Sequence, residues 1–154
     1  MDALDVRLLE LLDDQPRMGV LEIARRLGVA RGTAQARLDR LLASHVVRGF
    51  GPDVDPAALG YGVTAFATIE IRQGRGHDVQ RHLAEIPQVL EVHTITGPGD
   101  LLCRVVAKSN ADLQAIVDRV VDFDGIVRTS TVIALSTPVP YRTLPLVRAE
   151  GQLV

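Results

Sequence analysis

The chain has 154 residues, room for one ordinary domain or two small ones, and its 47% hydrophobic and 23% charged content suits a soluble globular protein. Aromatics at 3% with no tryptophan argue against single-strand nucleic-acid binding by base stacking, and a lone cysteine excludes an intrachain disulfide or thiolate zinc cluster. Net charge is −2, yet between Arg17 and Arg48 seven arginines stand against only Glu22 and Asp39, a local net of +5 that could attract a polyanion.

The first predicted helix starts at Asp2, whose carboxylate can cap free N–H groups, with Asp5 adding favourable charge in the first turn. Leu4, Leu8, Leu11 and Leu12 form its apolar stripe, and Asp13, Asp14 and Pro16 end it. These acids stand where a signal peptide needs basic residues, and no apolar run approaches the ~18 residues of a membrane span, so a cytoplasmic location and no membrane partner are expected.

Residues 19–47, GVLEIARRLGVARGTAQARLDRLLASHVV, read as two short helices joined by a tight turn. Gly19 caps the first, Ile23, Ala24 and Leu27 face inward, and Gly28 supplies the positive φ that stops it. The second buries Ala34, Leu38 and Leu41 and turns Gly32, Thr33, Ala36 and Arg40 outward, the pattern of a helix that lies in a DNA groove. Ala30 stands at its capping position, which forfeits about 1 kcal/mol relative to Ser or Thr. Val46–Phe50 reads as a short strand beginning a wing.

GPDVDPAALGYG, rich in Gly, Pro and Asp, marks a linker over 51–61, with a single helical turn at residues 55–59. Beyond it come a period-two strand over 63–71, a helix carrying Val79, Leu83 and Ile86, and strands at 89–96 and 101–108. A helix with Leu113, Ile116, Val117, Val120 and Val121 follows, capped by Ser109 or Asn110, and then a strand over 126–137. Two βαβ units in succession predict a ferredoxin-like βαββαβ sandwich over 62–137. Its uncovered sheet face carries Phe66, Thr68 and Val106 with Ile95 or Leu90, which implies pairing with a second copy. Residues 138–154, with Pro138, Pro140 and Pro145, are expected to form an irregular tail. The fold class is therefore α+β: a winged helix-turn-helix over 1–50, then the sandwich.

In LDVRLLELL, IARRLGVARGTAQARLDRLLASHVV, FGPDVDPAALG, TGPGDLLCRVVAKSNADLQAIVD and GIVRTSTVIALST, taken in order, the chain resembles the Lrp/AsnC, or feast/famine, family of transcriptional regulators. The resemblance implies DNA binding tuned by a free amino acid and dimers that associate further, often to octamers. It also implies an effector response at the Gly97-Pro98-Gly99-Asp100 turn and on the last strand. The chain departs from the family's usual Ser at Ala30, basic residue at Ala36, Gly at His45 and aromatic at Gly99.

The candidate DNA-binding residues are Arg31, Gly32, Thr33, Gln35, Ala36, Arg37 and Arg40. The arginines suit phosphate or guanine, Gln35 suits adenine, and Thr33 and Ala36 suit thymine methyls. The candidate effector residues are Thr94, Thr96, Gly97, Gly99 and Asp100 with Thr131, Val132, Ile133 and Ala134. There Asp100 could meet an ammonium and the glycine N–H groups a carboxylate. The competing reading of that turn is a hairpin in which Gly supplies φ and Asp caps its own loop. His77, His82, Glu91 and His93 fall in two-residue spacings that lack a third metal ligand, and no cofactor or catalytic residue is expected. Two rival functions share this architecture: a tetrapyrrole decarboxylase, which needs histidines this chain does not place in a matching motif, and a sensor that acts through a protein partner without binding DNA.

Overall fold

The computed structural model describes residues 1–151. The chain divides into two compact units, one made of Met1–Asp53 together with the chain from Val139, the other of Val54–Pro138. No helix among the described residues is long and apolar enough to cross a membrane.

The first unit is helical. In α1 (Ala3–Asp14) Asp2 accepts from the Leu4 and Asp5 backbone N–H groups, both at 3.0 Å, while Asp5 accepts from the Asp2 N–H at 3.0 Å. This reciprocal cap satisfies donors that the first helical turn leaves unpaired. Helix α2 (Val20–Leu27) ends at Gly28, whose φ of +72° lets Gly28 and Val29 donate to Arg25 and Ala24 carbonyls. Helix α3 (Arg31–Ala43) follows after three residues. Leu8, Leu12, Ile23, Ala24, Leu27, Ala34, Leu38 and Leu41 form the common core. These are the inward positions of a helix-turn-helix.

Two expectations fail in this unit. Residues 46–50 form no strand; α3 ends in a turn in which the His45 N–H bonds Leu42 and the Val47 N–H bonds Leu41, each at 3.0 Å. A wing strand needs a neighbouring edge, and none stands beside it among the described residues of this chain. The expected irregular tail instead contains α6 (Leu144–Gly151), which packs on α1. Pro145 is its second residue, where a helix needs no N–H donor, and the Thr143 carbonyl takes the first bonds from Leu146 and Val147. Arg148 reaches Glu10 at 2.7 Å, and Gly151 lies so close to Val6 that a Cβ there would collide with it.

The second unit holds β1 (Val63–Ile71), α4 (Gly76–Ala84), β2 (Val89–Thr94), β3 (Leu101–Ala107), α5 (Asn110–Val121) and β4 (Ile126–Ala134). The strands form one antiparallel sheet in the order β2-β3-β1-β4, the topology of the ferredoxin-like sandwich. Ala65, Ala67, Ile69, Leu101, Cys103 and Val105 pack against Val79, Leu83, Leu113, Ile116 and Val120 of α4 and α5. Ser109, rather than Asn110, caps α5 by accepting from the Asp112 N–H at 3.1 Å. Strand β4 stops at Ala134, three residues short of expectation. The pairing with β1 ends at Thr64↔Ala134, one residue before β1 itself begins at Val63.

Neither α4 nor α5 covers the opposite sheet face. Cross-strand register places Phe66 between Arg104 and Val132, and Thr68 between Leu102 and Ser130. Phe66 is 37% exposed and Val132 61%, and Arg104 lies 3.6 Å from Glu91. Val106 belongs to this face by register, yet it is buried.

Candidate functional site

Helix α3 opens without a side-chain cap, Ala30 being extended at φ −63°, ψ 147°. Thr33 and Ala34 donate to the Ala30 carbonyl, and the first turn carries only small side chains after Arg31. Arg31, Gly32, Thr33, Gln35 and Ala36 are exposed together on the outer side, while Ala34, Leu38 and Leu41 are buried. Such an uncapped N-terminus leaves donors and a positive dipole end available to an anion.

The basic residues divide into two groups. Arg31, Arg17 and Arg48 make no ion pair among the described residues. Arg25 and Arg26 share Glu22 at 2.9 and 3.0 Å. Arg37 and Arg40 turn back toward α1. Arg37 Nη1 donates to both Asp2 carboxylate oxygens, at 2.7 and 2.6 Å, and to Asp5 Oδ1 at 2.9 Å. Arg40 Nη2 donates to the two Asp5 oxygens at 2.8 and 2.7 Å. Asp5 is only 1% exposed, a buried charge matched by two cations.

The Arg37 hydrogen bond, seconded by the Asp5 backbone N–H, holds the Asp2 carboxyl down at about 2, and Asp2 in turn raises Arg37 above its ordinary value. The sequence reading treated Asp2 and Asp5 as cap and dipole partners and missed this pairing. The available signal was two acids spaced three apart on one helix and two arginines spaced three apart on another. Gln35, predicted for adenine, donates to Asp39 Oδ1 at 2.8 Å.

At the predicted effector turn, Gly97 and Gly99 have φ of +102° and +92°. A Cβ on Gly99 would lie 2.5 Å from Thr68 Cγ2 and 3.3 Å from the Ile69 carbonyl oxygen, so the turn lies directly on β1 and excludes a side chain there. Asp100 does not cap its own loop. Its Oδ2 accepts from the Ile71 N–H at 2.8 Å, beside the register shift at Glu70/Ile71, and its N–H donates to the Ile69 carbonyl at 2.9 Å. Thr94, Thr96 and Gly97 are exposed nearby in sequence.

Thr131 pairs with Ala67, one residue from the Thr68 that Gly99 abuts, and Ala134 with Thr64, four residues from it, or about 3 and 13 Å along the strand. One chain therefore brings Thr131 close to the turn and leaves Ala134 farther along the sheet.

The histidines have local partners: His82 bonds the Arg119 carbonyl at 3.0 Å and stacks on Phe123, and His93 lies 3.5 Å from Glu91. No group of three metal-ligating side chains occurs among the described residues.

A helix-turn-helix with an exposed, arginine-headed second helix, followed by a ferredoxin-like sandwich, defines a class of two-part transcriptional regulators. Residues 1–42 match the AsnC-type helix-turn-helix domain and residues 64–144 the Lrp/AsnC ligand binding domain. The chain belongs to the Lrp/AsnC family of transcriptional regulators. It is 30% identical over 146 residues to HTH-type transcriptional regulator FL11 of Pyrococcus furiosus, covering 95% of this chain and 97% of that protein. It is 32% identical over 120 residues to HTH-type transcriptional regulator AldR of Mycolicibacterium smegmatis, covering 76% and 70%.

Among solved structures, E. coli AsnC superposes with a TM-score of 0.86 at 27% identity, over 94% of this chain and 99% of that one. A feast or famine regulatory protein from M. tuberculosis, complexed with L-methionine, gives 0.80 at 26% identity, over 92% and 96%.

Proposed function

We propose that the protein reads a specific DNA sequence with α3 and that its affinity or assembly responds to a free amino acid. The observation that carries the DNA reading is the exposed first turn of α3. There Arg31 stands unpaired among the described residues beside Gly32, Thr33, Gln35 and Ala36, over a firmly packed core. Arg37 and Arg40, already bonded to α1, set the register of the helix and contribute at its rim, so Arg31 and the small residues carry the direct contacts.

For the effector, the β2–β3 turn offers backbone with positive φ and an Asp100 carboxylate with one oxygen not taken by Ile71. That combination complements an ammonium and a carboxylate on one small molecule. The methionine complex of the M. tuberculosis relative supports the amino-acid class. Two copies join through the exposed Phe66–Val132 sheet face and then associate into larger assemblies. The ligand then favours one assembly and so changes the spacing of the α3 helices, a shift of population rather than chemistry.

The test has two arms. Selection from a random-sequence duplex pool should enrich a pseudo-palindromic site whose affinity falls steeply with salt. A screen of the twenty amino acids should raise the unfolding temperature with one or a few of them. Failure to enrich any duplex at low ionic strength overturns the DNA reading, and a flat screen overturns the effector reading.

A further inference from the structure

Two acids three residues apart, Asp2 at the cap of α1 and Asp5 in its first turn, face two arginines three residues apart on α3, and the four side chains form one bonded cluster. Asp5 lies at its centre, 1% exposed, accepting from Arg37, Arg40 and the Asp2 N–H. Asp2 caps α1 with one oxygen while both its oxygens accept from Arg37. The Arg37 side chain is 24% exposed and that of Arg40 59%, so both guanidiniums border the outer surface of the helix that carries the candidate DNA contacts.

We propose that the Asp2–Asp5 pair is a specificity-determining device that withholds Arg37 and Arg40 from indiscriminate phosphate contact. The inference rests on the DNA-binding reading above. Non-specific affinity comes almost wholly from cations neutralising phosphates, whatever the sequence. An arginine held by a carboxylate must give up a charge-assisted bond before it can serve any phosphate. Only a duplex that also satisfies the direct contacts of α3 offsets that loss. The acids thus lower binding to wrong sites more than binding to the right one, which is what discrimination requires. Asp2 and Asp5 act through the arginines and need not touch DNA.

The experiment uses the full chain with two duplexes of equal length, one selected by the protein from a random pool and one scrambled, each titrated across a range of salt. Asp2→Asn keeps a residue that caps as well as aspartate and removes one charge from Arg37. Asp5→Asn keeps the side-chain volume and an acceptor for the Asp2 N–H.

Either variant should bind the scrambled duplex several-fold more tightly, with the slope of log affinity on log salt steeper by about 0.9 for each arginine released. The preference for the selected duplex should fall accordingly, and adding Arg37→Ala to Asp2→Asn should return the slope toward that of the wild type. A folded Asp2→Asn protein with unchanged slope and preference overturns the proposal. So does equal weakening on both duplexes without a slope change, the mark of a cluster that only holds helices together. Should Asp5→Asn fail to fold, Asp2→Asn decides alone. A wild-type chain that binds neither duplex overturns the DNA reading itself and this inference with it, and the wild-type control separates that failure from the others.

Discussion

His45 shows how a single residue records a departure from its family. It follows the end of α3 with φ of +56°, the left-handed conformation, where the resemblance leads one to expect Gly. A side chain there costs roughly 1 kcal/mol. His45→Gly should therefore stabilise the protein by about that amount without altering the α3 surface, as equilibrium urea denaturation would measure. Asp2 gives the pH counterpart. Its folded carboxyl sits at about 2 against an ordinary 3.8, so it binds fewer protons folded than unfolded. The stability it lends is complete above pH 3.8 and disappears as pH falls through about 2. Urea midpoints of wild type and Asp2→Asn should accordingly differ by a constant amount above about pH 4 and converge below it.

What was legible at this scale was local: the Asp2 cap, the Gly28 stop and the missing cap at Ala30 each depend on neighbours within four residues. The Asp2–Arg37 and Asp5–Arg40 bonds span 35 residues, and nothing short of the packed helices discloses them. Asp100 taught the same lesson. Sequence pointed to a carboxylate at a glycine turn, but its bond to Ile71 is a fact of register between β1 and the turn.

Elements were readable wherever apolar period and end signals agreed. All six elements of the sandwich lie where periodicity put them, because the faces of α4 and α5 and the alternation of β1 leave one buried solution each. Strand ends were less readable, since a strand lasts only as long as its cross-strand pairing does, and that of β4 stops at Ala134. The prolines near the C-terminus suggested an irregular tail, yet Pro145 stands in the first turn of α6. That helix buries no residue fully, and its Arg148–Glu10 pair is exposed enough to contribute little. Its attachment comes from Leu144 and Val147, which line a cleft with Leu9 and Leu12, and from the Gly151–Val6 approach. Deleting residues 144–154 should destabilise the helical unit by about 1–2 kcal/mol, while Arg148→Ala costs less than about 1 kcal/mol, by the same denaturation measurement.

For the molecule as a whole, the uncovered sheet face is the feature that composition foretold. With so few aromatics, placing one of three phenylalanines in the middle of an open sheet asks for a partner surface. Phe66→Glu sets a carboxylate beside Val132 and should shift the protein to monomers in light scattering, with the sandwich fold kept by circular dichroism. Division into two units was suggested by the Gly-, Pro- and Asp-rich stretch at 51–61. The return of the C-terminal chain to the first unit was not, because it depends on a helix that packs on α1, far away in the sequence.

That return makes the helical unit discontinuous in the chain, with its three leading helices on one side of the sandwich in sequence and α6 on the other. A protease that cuts once within 51–61 consequently leaves α6 holding the two fragments together within the helical unit. At about 1–2 kcal/mol that packing falls short of even a millimolar complex, so the fragments should separate on dilution.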